Sequence, residues 1–149
     1  MKDIINNEFN AHIKAANSLH NLTDAVATSA QLCIDCLRKG GKILIFGNGG
    51  SASIASHFSV DLTKNAGVRC LNFNEADLIT CFANDYGFEH WVEKAIDFYG
   101  DEGDLLIVIS SSGRSQNMLN GVKAARNGHF KSVVTLSGFA EDNPLNQLG

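Results

Sequence analysis

Lys42-Ile43-Leu44-Ile45-Phe46-Gly47-Asn48-Gly49-Gly50-Ser51, continued from Ala52 to Asp61, is the stretch that decides the fold. An apolar run of buried-strand type stops at a cluster of glycines, and a helix-compatible segment follows with Ser51 as a possible N-cap. Backbone N–H groups gathered at such a turn face outward, so the turn can hold an anion. Further along, His57 and Asp61 stand four residues apart and therefore share one helical face. On one face of the helix that leaves the turn, a titrating pair is expected to sit within reach of whatever the turn holds.

Downstream of this stretch the same alternation repeats. The pattern predicts a strand over 42–46, a helix over 51–64, a short strand over 68–72, helices over 76–83 and 88–98, a strand over 105–109, a helix over 115–126 and a strand over 132–136. Continuously apolar strands alternating with helices predict a doubly wound α/β domain, its parallel sheet covered by helices on both faces. In such sheets ligands bind beyond the carboxyl ends of the strands. That rule singles out three loops, 47–51, 72–75 and 110–115.

Upstream, Ile5, Phe9, Ile13, Ala16 and Leu19 recur at helical spacing opposite Asn6, Asn7, His12 and Lys14, which predicts an amphipathic helix. A second helix is expected to begin near Asn21 or Thr23, to run through Val26, Ala30, Cys33 and Leu37, and to end at Gly40-Gly41. The apolar face of these helices has two readings: it covers the sheet, or part of it packs on another subunit.

With 149 residues, 44% hydrophobic and 19% charged, the chain has enough material for one globular core. A net charge of −4 with scattered Lys and Arg lacks the footprint of a nucleic-acid binder. The N-terminus lacks the apolar core of a signal peptide and no apolar run is long enough to span a bilayer, so a cytoplasmic location is expected. Cys33, Cys36, Cys70 and Cys81 are too few and too scattered for a disulfide scaffold. Cys33 and Cys36 form C-x-x-C inside a helical pattern and without a second pair, so all four are expected as core thiols.

Three short segments carry chemistry. Ser110-Ser111-Ser112-Gly113-Arg114-Ser115 follows an apolar strand and precedes a helix. Four hydroxyls, a glycine, open N–H groups and a helix dipole together suit a phosphate monoester, although Ser112 or Ser115 as a simple helix cap would explain one of them. No G-x-x-x-x-G-K-[ST] is present, which argues against a nucleoside-triphosphatase. The loop from Gly47 to Ala52 formally satisfies G-x-G-x-x-A, but the second strand ends at Asn72-Phe73-Asn74 with Glu75 late, where a dinucleotide fold wants an acidic residue. Between the two loops, Asn84 and Asp85 end one helix and Gly87 breaks it; their side chains either project into a ligand space or serve turn chemistry alone.

Taken together, Gly47-Asn48-Gly49-Gly50-Ser51 with His57, Asn84-Asp85-Tyr86-Gly87-Phe88, and Ile109 through Ser115 resemble a sugar isomerase (SIS) domain of the phosphoheptose isomerase type. The three motifs fall in order over nearly the whole chain. The resemblance implies an α/β sandwich preceded by helices that build the central bundle of a tetramer, and a phosphosugar site at subunit interfaces. It implies that Asn48, Gly49, Gly50 and Ser51 line the sugar site, that Asn84 and Asp85 contact hydroxyls, and that Ser110, Ser111, Ser112 and Ser115 take the phosphate. Residues 1–39 would be the oligomerisation helices and 42–149 the parallel core of a single SIS domain.

Two departures from the family pattern shape the expectation. Asp61 stands where phosphoheptose isomerases have a glutamate, a carboxylate one methylene longer. The family pattern also continues past Gly149 with a strand and a helix bearing a glutamine and a histidine, which here are absent. The expected activity is aldose–ketose isomerisation of sedoheptulose 7-phosphate or a related sugar phosphate through an enediol. Asp61 is its candidate base and His57 its neighbour. The alternative is a non-catalytic phosphosugar-binding or protein-binding SIS module. His57 and Asp61 at i, i+4 also present two ligands to a possible zinc ion. The expected partners are a phosphorylated sugar and further copies of the chain in a homotetramer, without nucleic acid or membrane.

Overall fold

In the computed structural model, which describes residues 1–128, 130 and 132–149, the chain separates into two compact units, residues 1–31 and 32–149. The first unit contains helix α1 (Lys2–Ser18), a 3-10 turn (Leu19–Leu22) and the start of helix α2 (Thr23–Arg38). Helix α1 buries none of its residues, and Ile4, Ile5, Phe9, Ile13, Leu19, Leu22 and Val26 are all exposed. These side chains form an apolar stripe left open to solvent within the chain itself.

The second unit is built on four parallel strands, β1 (Ile43–Gly47), β2 (Cys70–Asn72), β3 (Leu105–Ser110) and β4 (Ser132–Ser137), in the order β2-β1-β3-β4. Helix α3 (Gly50–Ala66) connects β1 to β2, helices α4 (Ala76–Tyr86) and α5 (Trp91–Tyr99) connect β2 to β3, and α6 (Gln116–Asn127) connects β3 to β4.

Side chains alternate along each strand, and the two central strands are buried on both faces. Leu44, Phe46, Leu106 and Val108 point to one layer, where they meet Trp91 and Val92 of α5 and Met118 and Val122 of α6. Ile43, Ile45, Leu105, Ile107 and Ile109 point to the other, against Cys36 of α2 and Ala55 of α3. This two-sided burial explains why both strands read as unbroken apolar runs.

At their N-terminal ends β1 and β3 are clamped by charge. Lys42 Nζ lies 2.6 Å from Asp104 Oδ2 and 2.6 Å from Asp101 Oδ2, while the N–H groups of Lys42 and Asp101 donate to Asp104 at 2.8 Å each. Burial alone would lower the Lys42 ammonium, but the hydrogen bonds and charges of Asp101 and Asp104 together hold it above the ordinary lysine value.

Several sequence expectations need correction. The second strand is shorter than 68–72, starting only at Cys70. The fifth helix begins at Trp91, because residues 88–90 form a turn. The thiols are not uniformly core: Cys36 and Cys70 are buried, Cys33 is half-buried and Cys81 is exposed. Burial, with Cys33 and Cys36 nearby, pushes the Cys70 thiol up to about 12. Among the described residues no helix is long and apolar enough to cross a membrane.

Candidate active site

The strand order places a topological switch point between β1 and β3. The chain leaves β1 for β2 on one side and later leaves β3 for β4 on the other, so the loops after β1 and β3 diverge around a crevice. The register sets Gly47 beside Ile109, which brings the two loops out of the sheet side by side.

In the first loop, glycines are needed for two separate reasons. A Cβ on Gly47 would lie 2.6 Å from the carbonyl carbon of Ser51, so only glycine lets the start of α3 close down on the strand. Gly49 has φ 53 and ψ −120, a conformation that a side chain does not tolerate. Gly49, rather than the expected Ser51, occupies the N-cap of α3, and no side chain caps the helix. The Ser51 N–H donates to the Asn48 carbonyl at 3.0 Å, which places Ser51 inside the first turn. Gly49 and Gly50 are exposed.

In the second loop, Ser110 is buried at the end of β3, Ser112 and Ser115 are half-buried, and Ser111 is exposed. Ser115 stands at the N-cap of α6 yet makes no side-chain cap bond, so helix capping does not account for it. Its Oγ lies 3.5 Å from the Ser110 Oγ that donates to it, and Ser112 Oγ accepts from the Arg114 N–H at 3.3 Å. A hydroxyl cluster at an uncapped helix start presents donors and a favourable dipole to an anion.

A reciprocal amide pair joins the two loops. Asn48 Nδ2 donates to Asn117 Oδ1 and Asn117 Nδ2 donates to Asn48 Oδ1, each at 3.0 Å. Asn117 is absent from the sequence expectations, although a signal was present: it lies on the buried face of α6 with Met118 and Val122, where a polar side chain needs a partner. Asn143 was missed as well. Its buried side chain packs against Gly113, donates to Ser137 Oγ at 3.0 Å and to the Ala140 carbonyl at 2.6 Å, and holds the 138–149 segment behind the serine loop.

The remaining expected residues are placed differently. Asn72 and Asn74 of the third loop bond to α3: Asn72 Nδ2 donates to Ser59 Oγ at 2.9 Å, and Asn74 Nδ2 to Ser56 Oγ at 2.7 Å and the Ala52 carbonyl at 2.9 Å. This network fastens loop to helix. Helix α4 runs to Tyr86, past the expected end at 83, and Gly87, with φ 89, breaks it as expected, so Asn84 and Asp85 lie in its last turn. Both are exposed, and Asn84 Nδ2 donates to Asp85 Oδ1 at 2.9 Å.

His57 and Asp61 do share one face of α3, with Nε2 3.5 Å from Oδ2. Their side chains are 81% and 50% exposed, so the pair is open to solvent and its mutual attraction is worth less than about 1 kcal/mol. With Ser53, Ile54 and Phe58 they line a shallow depression of about 420 Å³ whose every wall residue comes from α3. Among the described residues, no group of three His, Cys, Asp or Glu side chains is arranged to hold a metal. The two donors of this pair do not make up a tetrahedral zinc site.

Comparison with known proteins agrees with this geometry. The sequence profile of the family described as "SIS domain" matches residues 8–138. A phosphoheptose isomerase of Helicobacter hepaticus is 38% identical over 144 residues, which cover 93% of this chain and 73% of that protein. That of Helicobacter pylori is 38% identical over 138 residues, covering 88% and 72%. Among solved structures, phosphoheptose isomerase GmhA from Neisseria gonorrhoeae superposes with a TM-score of 0.89 at 32% identity over 98% of this chain and 78% of that one. A phosphoheptose isomerase from Francisella tularensis gives 0.89 at 33% identity over 99% and 79%.

Proposed function

This chain belongs to the SIS domain family, and we propose that it is an isomerase of a phosphorylated heptose, interconverting sedoheptulose 7-phosphate and its aldose. The observation that carries the reading is the pair of loops at the switch point, a hydroxyl cradle at the start of α6 beside a glycine turn at the start of α3, with a carboxylate on the same helix as that turn.

In this reading Ser110, Ser111, Ser112 and Ser115 anchor the phosphate far from the reacting carbons. Energy from that remote contact holds the sugar in place for a slow proton abstraction. Asn48, Gly49, Gly50 and Ser51 line the sugar, and Asn84 and Asp85 contact its hydroxyls. Asp61 takes the proton from C1 of the ketose, and the electron pair of the broken C–H bond forms the C1=C2 double bond as O2 takes a proton from solvent. Protonated Asp61 returns a proton to C2 while O1 loses its proton to solvent and the C1 carbonyl forms, which gives the aldose. Atoms and electrons balance without an oxidant. His57 lies within ion-pair distance of Asp61 and orients the carboxylate. No step is assigned to zinc: among the described residues no group of three His, Cys, Asp or Glu side chains could hold it.

A carboxylate half open to water is a poor place to form an enediol, because water competes for every hydrogen bond. We therefore propose that a second protomer closes over the α3 face in a homotetramer assembled through residues 1–39, with 42–149 as the SIS core. The exposed stripe on α1 supports this assembly. A cytoplasmic location fits a substrate that is a phosphorylated sugar.

Turnover tests the proposal. Purified protein given sedoheptulose 7-phosphate is expected to form the aldose, and Asp61→Asn is expected to lower kcat by about 1,000-fold, as loss of a general base does. Binding without turnover in the wild type would replace the enzyme with a phosphosugar-binding module.

A further inference from the structure

We infer that Asn117 is a positioning residue for the sugar site, acting through Asn48. This rests on the isomerase reading for its kinetic consequence, but the contact itself does not. The two amides close a ring of two hydrogen bonds, each 3.0 Å, between residues 69 apart in sequence. Each amide spends one N–H and one carbonyl lone pair on the ring. Asn48, half-exposed in the glycine loop, keeps one N–H and one lone pair to offer a ligand, and Asn117 fixes which way each points. Rotating the Asn48 amide by half a turn would set oxygen against oxygen and N–H against N–H.

Asn117 is 3% exposed and is flanked on the buried face of α6 by Met118, Gly121 and Val122. An apolar side chain at that position would avoid the cost of burying an amide, so the fold alone does not ask for asparagine there. What the asparagine adds is a link across the crevice. Asn117 sits two residues beyond Ser115 in the first turn of α6, so its bond to Asn48 holds the sugar loop in register with the phosphate loop. An amide that stabilises without touching substrate makes its effect felt only through the residue it holds.

The test is a double-mutant cycle with sedoheptulose 7-phosphate as substrate. Asn117→Ala is expected to reduce kcat/KM about 30-fold, and the Asn48→Ala, Asn117→Ala double variant to match Asn48→Ala alone within two-fold. Losses that multiply, or an Asn117→Ala variant with wild-type kinetics, would overturn the inference. Asn117→Asp keeps the shape should alanine fail to fold. Its carboxylate cannot donate to Asn48 Oδ1, whereas its protonated form can, so its kcat/KM relative to wild type is expected to recover as pH falls; a ratio independent of pH would count against the pairing. A wild type without turnover would overturn the isomerase reading only. The pairing is then judged by NMR of the Asn48 side-chain amide, whose protons are expected to exchange slowly in the wild type and rapidly in Asn117→Asp at neutral pH. Equal exchange in both would overturn it.

Discussion

A Cβ placed on Gly113 would lie 1.8 Å from Asn143 Oδ1, so the serine loop and the 138–149 segment fit together only because residue 113 has no side chain. The Leu145 N–H donates to the Gly113 carbonyl at 3.0 Å and the Leu145 side chain is fully buried, which seats the same segment two residues further on.

Gly113→Ala is therefore expected to be severe. Its φ of 63 disfavours a side chain, and the clash forces Asn143 out of its bonds. A loss of about 3 kcal/mol in urea denaturation is expected. Phosphate affinity should fall with it, since the loop that carries Ser112 must shift.

The charge clamp below β1 and β3 gives a pH dependence whose direction follows from Lys42. Its folded value lies above the unfolded one, so its contribution is complete below the unfolded lysine value of about 10.4 and is lost as pH rises through the folded value. Wild-type stability is expected to drop in that alkaline window, and a Lys42→Met variant to lack this part of the drop. Asp104→Ala leaves two backbone N–H groups and the ammonium without their buried partner, and is expected to cost about 3 kcal/mol at neutral pH.

Ser115→Ala separates binding from folding. Because Ser115 makes no cap bond and takes only a long 3.5 Å bond from Ser110 Oγ, its removal is expected to leave the thermal midpoint nearly unchanged. Loss of a hydrogen bond to a charged phosphate is worth about 1.5 kcal/mol, so KM is expected to rise roughly ten-fold with kcat little altered. A fall in kcat at constant KM would point to a role at the reacting carbons.

Ile5→Asp and Phe9→Asp test the assembly, since both positions lie on the exposed stripe of α1. Light scattering at micromolar concentration is expected to show a tetramer for the wild type and smaller species for the variants, with activity reduced in parallel. Equal mass for all three proteins would remove the stripe from the interface.

The sheet was legible in the sequence because β1 and β3 are buried on both faces, so their strands read as apolar runs that break only at Gly47 and Ser110, where the loops begin. The glycine and serine loops were legible for a related reason: unusual backbone geometry and clustered hydroxyls leave composition marks. Helix ends were less readable. Ser51 has the right chemistry for a cap but lost the place to Gly49, whose left-handed φ sets the turn, and Asn84 and Asp85 proved compatible with a helix that tertiary packing carries on to Tyr86. Asn117 and Asn143 escaped notice because a single buried amide has no pattern along the chain; Asn117 pairs with a residue 69 positions away, and Asn143 bonds its own neighbours but packs against Gly113, 30 positions upstream. The i, i+4 relation of His57 and Asp61 was readable, whereas their exposure was not, since spacing says which residues share a face and nothing about what covers it.

Proton exchange in deuterated water tests the central claim most directly. On incubation with sedoheptulose 7-phosphate, the wild type is expected to replace one C1 proton of the ketose with deuterium and to deliver aldose labelled at C2, while Asp61→Asn does neither at a comparable rate. Undeuterated ketose and no aldose after prolonged incubation of folded, phosphosugar-bound wild type would contradict it.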